Sequence, residues 1–131
     1  MQRHSENAEK IAMFLKDHKK IADVYWAGFK DHKNYDIVKN QMNGFGGMVS
    51  FIPIDNKFES SKKIAENLKL FTLAESLVGV ERLCCHPASM THASIPVEER
   101  KKSGLVESLL RLSVGIEDVE DLIDDLNNAI E

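Results

Sequence analysis

The spacing of apolar residues divides the chain into short alternating elements. Ala8, Ile11, Ala12 and Leu15 recur at i, i+3, i+4 and i+7, the repeat that lines one face of a helix. Ser5 or Asn7 can cap this helix, which should end near His18. Ile21–Trp26 is short and rich in strand formers. The polar stretch 28–34 reads as a loop, and Tyr35–Met42 as a short helix with Ile37, Val38 and Met42 inward. Asn43-Gly44-Phe45-Gly46-Gly47 breaks that helix, because glycine permits backbone angles other residues avoid. Met48–Ile54 is a strand, and Pro53 marks an edge or an exit. Asp55 can cap a helix over Lys57–Leu68 that buries Phe58, Ile64, Ala65 and Leu68. Phe71–Ala74 and Arg82–Cys85 read as short strands, Pro96–Lys102 as a charged helical stretch closed by Gly104, and Leu109–Val114 as another strand. Asp118 caps a final helix with Val119, Leu122, Ile123, Leu126 and Ile130 on one stripe. Acids crowd its first turns, where the helix dipole favours them. This order predicts an α/β (α+β) two-layer sandwich: a mainly antiparallel sheet of four or five strands with helices on one face.

Composition narrows the class. A length of 131 residues suits one domain with one core. The net charge of −4 is spread along the chain, so neither a nucleic acid nor an anionic membrane is an expected partner. No apolar run approaches the roughly 20 residues that span a bilayer, and the first residues lack the apolar stretch of a secretory signal. Cys84 and Cys85 are neighbours and the chain has no other cysteine, which excludes a disulfide framework and fits a reducing cytoplasm.

Three features could carry chemistry. The stretch Leu73–Ser94 follows neither a helix nor a strand period and gathers hydroxyls, two histidines, the cysteine pair and a proline. It reads as a connection through a site or an irregular core crossing. His86 and His92 with Cys84 or Cys85 match no standard zinc spacing, so packing is the plainer reading of both histidines. The glycine run at 44–47 precedes a strand, whereas a phosphate loop follows one and opens a helix. Arg111 is the more informative residue. Leu110, Leu112 and Val114 share one strand face, and Arg111 and Ser113 the other. A guanidinium so placed can clamp a carboxylate with two parallel hydrogen bonds, or simply pair with a surface acid.

Four strings, Asn43–Phe51, Leu73-Ala74-Glu75-Ser76-Leu77, His86–Ser94 and Arg111–Asp118, together resemble one family across essentially the whole chain. It is the cystathionine γ-synthase and γ-lyase family, the pyridoxal-phosphate enzymes of trans-sulfuration and methionine metabolism. The resemblance implies the family's C-terminal small domain, residues 1–131 as a single substrate-carboxylate-binding unit. The large domain would be absent, with its cofactor lysine, its pyridine-nitrogen aspartate and its phosphate-binding loop. No catalytic, cofactor-binding or metal-binding residue is then expected here, and no cofactor on this chain alone. The parent enzyme would be a homotetrameric cytoplasmic lyase or transferase that holds pyridoxal phosphate and acts on cystathionine or an O-activated homoserine. On matching positions, Arg111 would bind the substrate α-carboxylate, with Ser76 and the backbone of Leu77 nearby. Glu75 would attract the distal amino group of cystathionine, and Thr91 would form pocket wall. Two positions depart from the family pattern: Val78 where a glycine is frequent, and a Gly28–His32 loop without the usual proline.

Two readings of function follow. In one, the chain is an inactive fragment of such an enzyme. In the other, it is a free-standing domain that binds amino acids or a protein partner without catalysis.

Overall fold

The computed structural model describes residues 1–75, 80–90, 93–103 and 105–131. Its elements in order are α1 (Gln2–Asp17), β1 (Ile21–Tyr25), α2 (Tyr35–Gln41), β2 (Met48–Pro53), α3 (Phe58–Asn67), β3 (Thr72–Leu73), β4 (Leu83–Cys85), α4 (Val97–Lys102), β5 (Leu110–Ser113) and α5 (Val119–Ile130). The strands form one five-stranded sheet in the order β1-β2-β5-β4-β3. All pairs are antiparallel except β3 with β4, so the sheet is mixed.

The helices α1, α3 and α5 cover one face of this sheet. Val49 and Phe51 of β2, Cys84 of β4 and Leu110 and Leu112 of β5 meet Ala8, Ile11, Leu15, Ile64, Leu122 and Leu126 there. The period-two pattern of the strands thus meets the helical stripes of the sequence. Fully burying each such leucine or phenylalanine stabilises the fold by about 1.5–3 kcal/mol.

Several local expectations hold. Asp118 accepts from the Glu120 amide at 2.9 Å and caps α5. Asp55, expected as the cap of α3, instead precedes its N-cap Lys57, accepting from the Lys57 amide at 3.1 Å and from the Ser60 hydroxyl. That hydroxyl, more than any charge, holds the Asp55 carboxyl below its ordinary value. Pro53 ends β2, an interior strand, so it marks an exit and not an edge.

Others are corrected. The first helix begins at Gln2, ahead of both expected caps. Ser5 lies within it and accepts from the Phe45 amide at 3.2 Å. Asn7 is buried and donates to the Gly115 and Glu117 carbonyls at 3.0 and 2.8 Å. The short helix α2 buries nothing: Ile37 and Met42, expected inward, are about half exposed. What anchors it is Tyr35, stacked on Phe45 at 5.5 Å. Phe58 is also partly exposed, set edge-on to His86 at 5.0 Å instead of facing the core.

Asp125 is an acid on the inward side of α5. Its carboxylate accepts from the amides of Lys69 and Leu70, each at 2.8 Å, and Phe71 at 3.2 Å, which satisfies the turn between α3 and β3. A buried carboxylate with three backbone donors is compensated, whereas the turn without it would leave amides orphaned.

Leu122 and Leu126 are wholly buried. Leu122→Ala or Leu126→Ala should each destabilise the protein by roughly 2–5 kcal/mol, measured as a lower denaturant midpoint. Unchanged midpoints for both would show that α5 does not hold the core.

Burial, and then the neighbouring Cys85, push the Cys84 thiol from its usual 9.0 up to about 12. The unfolded thiol loses its proton first, so above pH 9 the unfolded state binds fewer protons than the folded one. The thiol's contribution to stability is therefore complete below pH 9 and lost as pH rises toward 12. Across that window the wild type should lose more stability than Cys84→Val, read from denaturant midpoints at each pH. Parallel losses would place the titration elsewhere.

Candidate functional site

The face of the sheet opposite the helices carries the site. In register, Tyr25 of β1 lies beside Ser50 of β2, Ser50 beside Arg111 of β5, and Arg111 beside Cys85 of β4. This row is one step from the Val24–Phe51–Leu110 row, which faces the core, so its side chains point the other way.

Arg111 is half-buried, and its Nη2 is buried without a hydrogen-bond partner. Among the described residues, buried atoms of Trp26, Arg100 and Glu117 share that condition. Arg100, however, donates to the Ala88 carbonyl at 2.5 Å and lies 3.5 Å from the Glu107 carboxylate. Glu117 pairs through its other oxygen with Arg82 at 2.8 Å, and Trp26 is packed edge-on against Phe29 and Phe45. Arg111 has no such compensation among the described residues. Leaving a charged donor unpaired costs upward of about 1–3 kcal/mol, so its fork is suited to an acceptor from outside the chain.

The segment after Arg111 is held from several sides. His4, buried on α1, donates from Nδ1 to the Val114 carbonyl at 2.5 Å, and Asn7 holds the next carbonyls. Arg82 binds the Leu70 carbonyl at 2.7 Å as well as Glu117. Gly115 is required here by space. A Cβ would lie 1.9 Å from the Glu117 carboxylate and 2.9 Å from the Arg82 amide.

Ser50 and Tyr25 line a cleft of about 660 Å³ with Asp23, Trp26, Asp31 and Leu109. Burial, and then the charge of Asp23, raise the Tyr25 phenol above its ordinary value. Sequence reasoning missed Ser50, Tyr25 and Asp23. The alternation within Met48–Pro53, which sets Ser50 opposite Val49 and Phe51, was the available signal.

The other expected residues fall differently. Glu75 is exposed just beyond β3, two strands from Arg111 in the sheet order. Ser76, Leu77, Thr91 and His92 lie outside the described residues. His86 is buried, with Nε2 donating to the Glu107 carbonyl and Nδ1 2.6 Å from the Ser89 hydroxyl. Both ring nitrogens are engaged, so packing is its role. The described residues contain no cluster of three or more histidine, cysteine or acidic groups that could hold a metal, and no described helix is long and apolar enough to cross a membrane.

A pyridoxal-phosphate site needs a lysine drawn out of water, so that its amine can form the cofactor imine. Every lysine of this chain is exposed. Lys16 lies over the Phe29 ring at 4.2 Å, and Lys62 pairs with Glu66 at 3.9 Å. The residues present do not fit the cofactor's covalent anchor.

Comparison with known proteins places this geometry. The chain is 50% identical over 131 residues to a cystathionine beta-lyase of Lactococcus lactis, all of this chain and 34% of that protein. It is 47% identical to a cystathionine gamma-lyase of Dictyostelium discoideum, again over all of this chain and 34% of the relative. The crystal structure of cystathionine gamma synthase from Xanthomonas oryzae pv. oryzae, in complex with cystathionine, superposes with a TM-score of 0.93 at 42% identity, covering 99% of this chain and 33% of that one. The chain thus spans about a third of the length of the relatives it matches. The C-terminal assignment is corrected: as aligned, the chain falls on the N-terminal 34% of the curated relatives, so it is not the C-terminal domain that the resemblance implied. The model of the Cys/Met metabolism PLP-dependent enzymes matches residues 1–131, and the chain belongs to that family.

Proposed function

We propose that the chain is part of a pyridoxal-phosphate enzyme that acts on a sulfur-containing amino acid, and that Arg111 binds a carboxylate of the substrate. The observation that carries this reading is the buried, unpartnered Nη2 of Arg111 on the face of the sheet away from the helices. The similar Xanthomonas oryzae structure holds cystathionine, which makes a cystathionine-like amino acid the substrate of choice. The relatives include a cystathionine beta-lyase, a cystathionine gamma-lyase and an L-methionine gamma-lyase, so what their names share is a sulfur-containing amino acid and not the bond broken. Ser76, Leu77, Thr91 and Glu75 complete the proposed substrate contacts. In this reading the enzyme is a cytoplasmic homotetramer.

The chemistry assigned to Arg111 is positional. Two parallel charge-assisted hydrogen bonds both attract and orient a carboxylate. A lysine keeps the charge but loses the fork. In the active enzyme that contains this chain, Arg111→Ala should lower kcat/KM on cystathionine by at least about a hundredfold, from hydrogen bonds to charge worth about 1.5–3 kcal/mol each. Arg111→Lys should recover only part of the loss. A kcat/KM within a few-fold of wild type for Arg111→Ala, in a protein that folds normally, would remove Arg111 from the site.

The exposed lysines generate a second expectation. The chain alone, incubated with pyridoxal phosphate and dialysed, should keep no visible imine absorbance and no borohydride-fixed adduct at a single lysine. A persistent band with one modified lysine by peptide mass spectrometry would show that an anchor exists here.

A further inference from the structure

The row through Arg111 alternates tall and short side chains. Arg111 and Tyr25 stand on either side of Ser50, with β2 between their strands. Neighbouring strands lie about 4.8 Å apart, so the two tall residues rise from backbones roughly 10 Å apart. Between them the sheet presents only a hydroxymethyl group. The result is a trough with Ser50 as its floor, and Ser50 and Tyr25 both line the open cleft of about 660 Å³.

The two ends of the trough differ in charge. At one end, beside the lining of the cleft, is Arg111, whose buried Nη2 has no hydrogen-bond partner. At the other is Asp23, two residues before Tyr25 on the same exposed strand face, in a cleft also lined by Asp31, His32 and Lys33, where the two acids outnumber the one lysine. Asp23 makes no ion pair among the described residues and lies close enough to Tyr25 for its charge to act on the phenol. A trough with a cation at one end and an acid and a phenol at the other suits a dipolar ligand laid across the strands.

Resting on the proposal that Arg111 binds a carboxylate, we infer that the ligand lies across β5, β2 and β1 over Ser50, with a distal amino group at Asp23 and Tyr25 and not at Glu75, which lies beyond β3 on the other side of Arg111. The ligand class is then a carboxylate that carries an ammonium several bonds away. Ser50 determines specificity by leaving the trough open, and Asp23 does so by charge. Neither residue is expected to act on the reacting atoms.

The test uses the full chain and three simple ligands: acetate, hexanoate and ω-aminohexanoate. Binding is followed by amide chemical shifts of an isotope-labelled sample. The wild type should bind ω-aminohexanoate several-fold more tightly than hexanoate. Asp23→Asn should abolish that preference and leave hexanoate binding unchanged. Ser50→Leu should weaken both long ligands and spare acetate, and Ser50→Thr should retain the preference. Equal binding of the two long ligands by the wild type, or a preference that survives Asp23→Asn, would overturn the inference. If Arg111→Ala leaves binding of all three ligands intact, the Arg111 reading itself fails. Loss of all three in Arg111→Ala, with no effect of Asp23→Asn or Ser50→Leu, would keep Arg111 and reject the trough.

Discussion

The two-sidedness of β5 is the constraint on which the structure depends. Leu110, Leu112 and Val114 are wholly buried, and Arg111 stands on the opposite side of the same strand. A slip of one residue would turn Arg111 into the helices and bring the leucines out. That exchange would lose several kcal/mol of apolar burial and force a guanidinium into a dry core, where an unpaired charge is costly. The packing that makes the strand stable is therefore also what aims Arg111. A single alternation sets both, so the residue needs no specialised loop to position it.

Much of this was legible in the sequence. Periodicity identified the elements that build the core, because each stripe meets another: Leu122 and Leu126 with Leu15, Val49 and Phe51 with Leu110. What failed was burial wherever a periodic segment has nothing opposite it. Residues 35–42 carry helix-compatible spacing, yet α2 packs through one aromatic stack and leaves Ile37 exposed. Capping was misjudged at α1 for a related reason. Ser5 and Asn7 are good caps, but both are used across the fold, on Phe45 and on the loop after β5. Local propensity cannot foresee a partner 40 residues away, as for Ser5, or 108 away, as for Asn7.

The site was legible only along one strand. Arg111 stood out by its parity, whereas the row Tyr25–Ser50–Arg111 depends on strand order and register across three strands. β2 and β5 are neighbours only in space; in the chain more than fifty residues separate the end of β2 from Arg111. Spacing within a strand therefore identifies a face, and pairing between strands identifies a site. The resemblance to the family survives the comparisons, but the position that it implied within the longer enzyme does not.

An unpartnered buried guanidinium nitrogen should disturb its own surroundings, and the fold shows why it is tolerated. The cost, upward of about 1–3 kcal/mol, falls on a segment held from several sides. His4 and Asn7 bind the carbonyls of Val114, Gly115 and Glu117 from one helix, and Arg82 ties Glu117 to Leu70. Gly115 permits this approach because any side chain would collide with Glu117. These contacts, with the leucines that share the strand, fix the backbone from which Arg111 rises. The stability that offsets an energetically unfavourable donor thus resides in residues other than Arg111 itself.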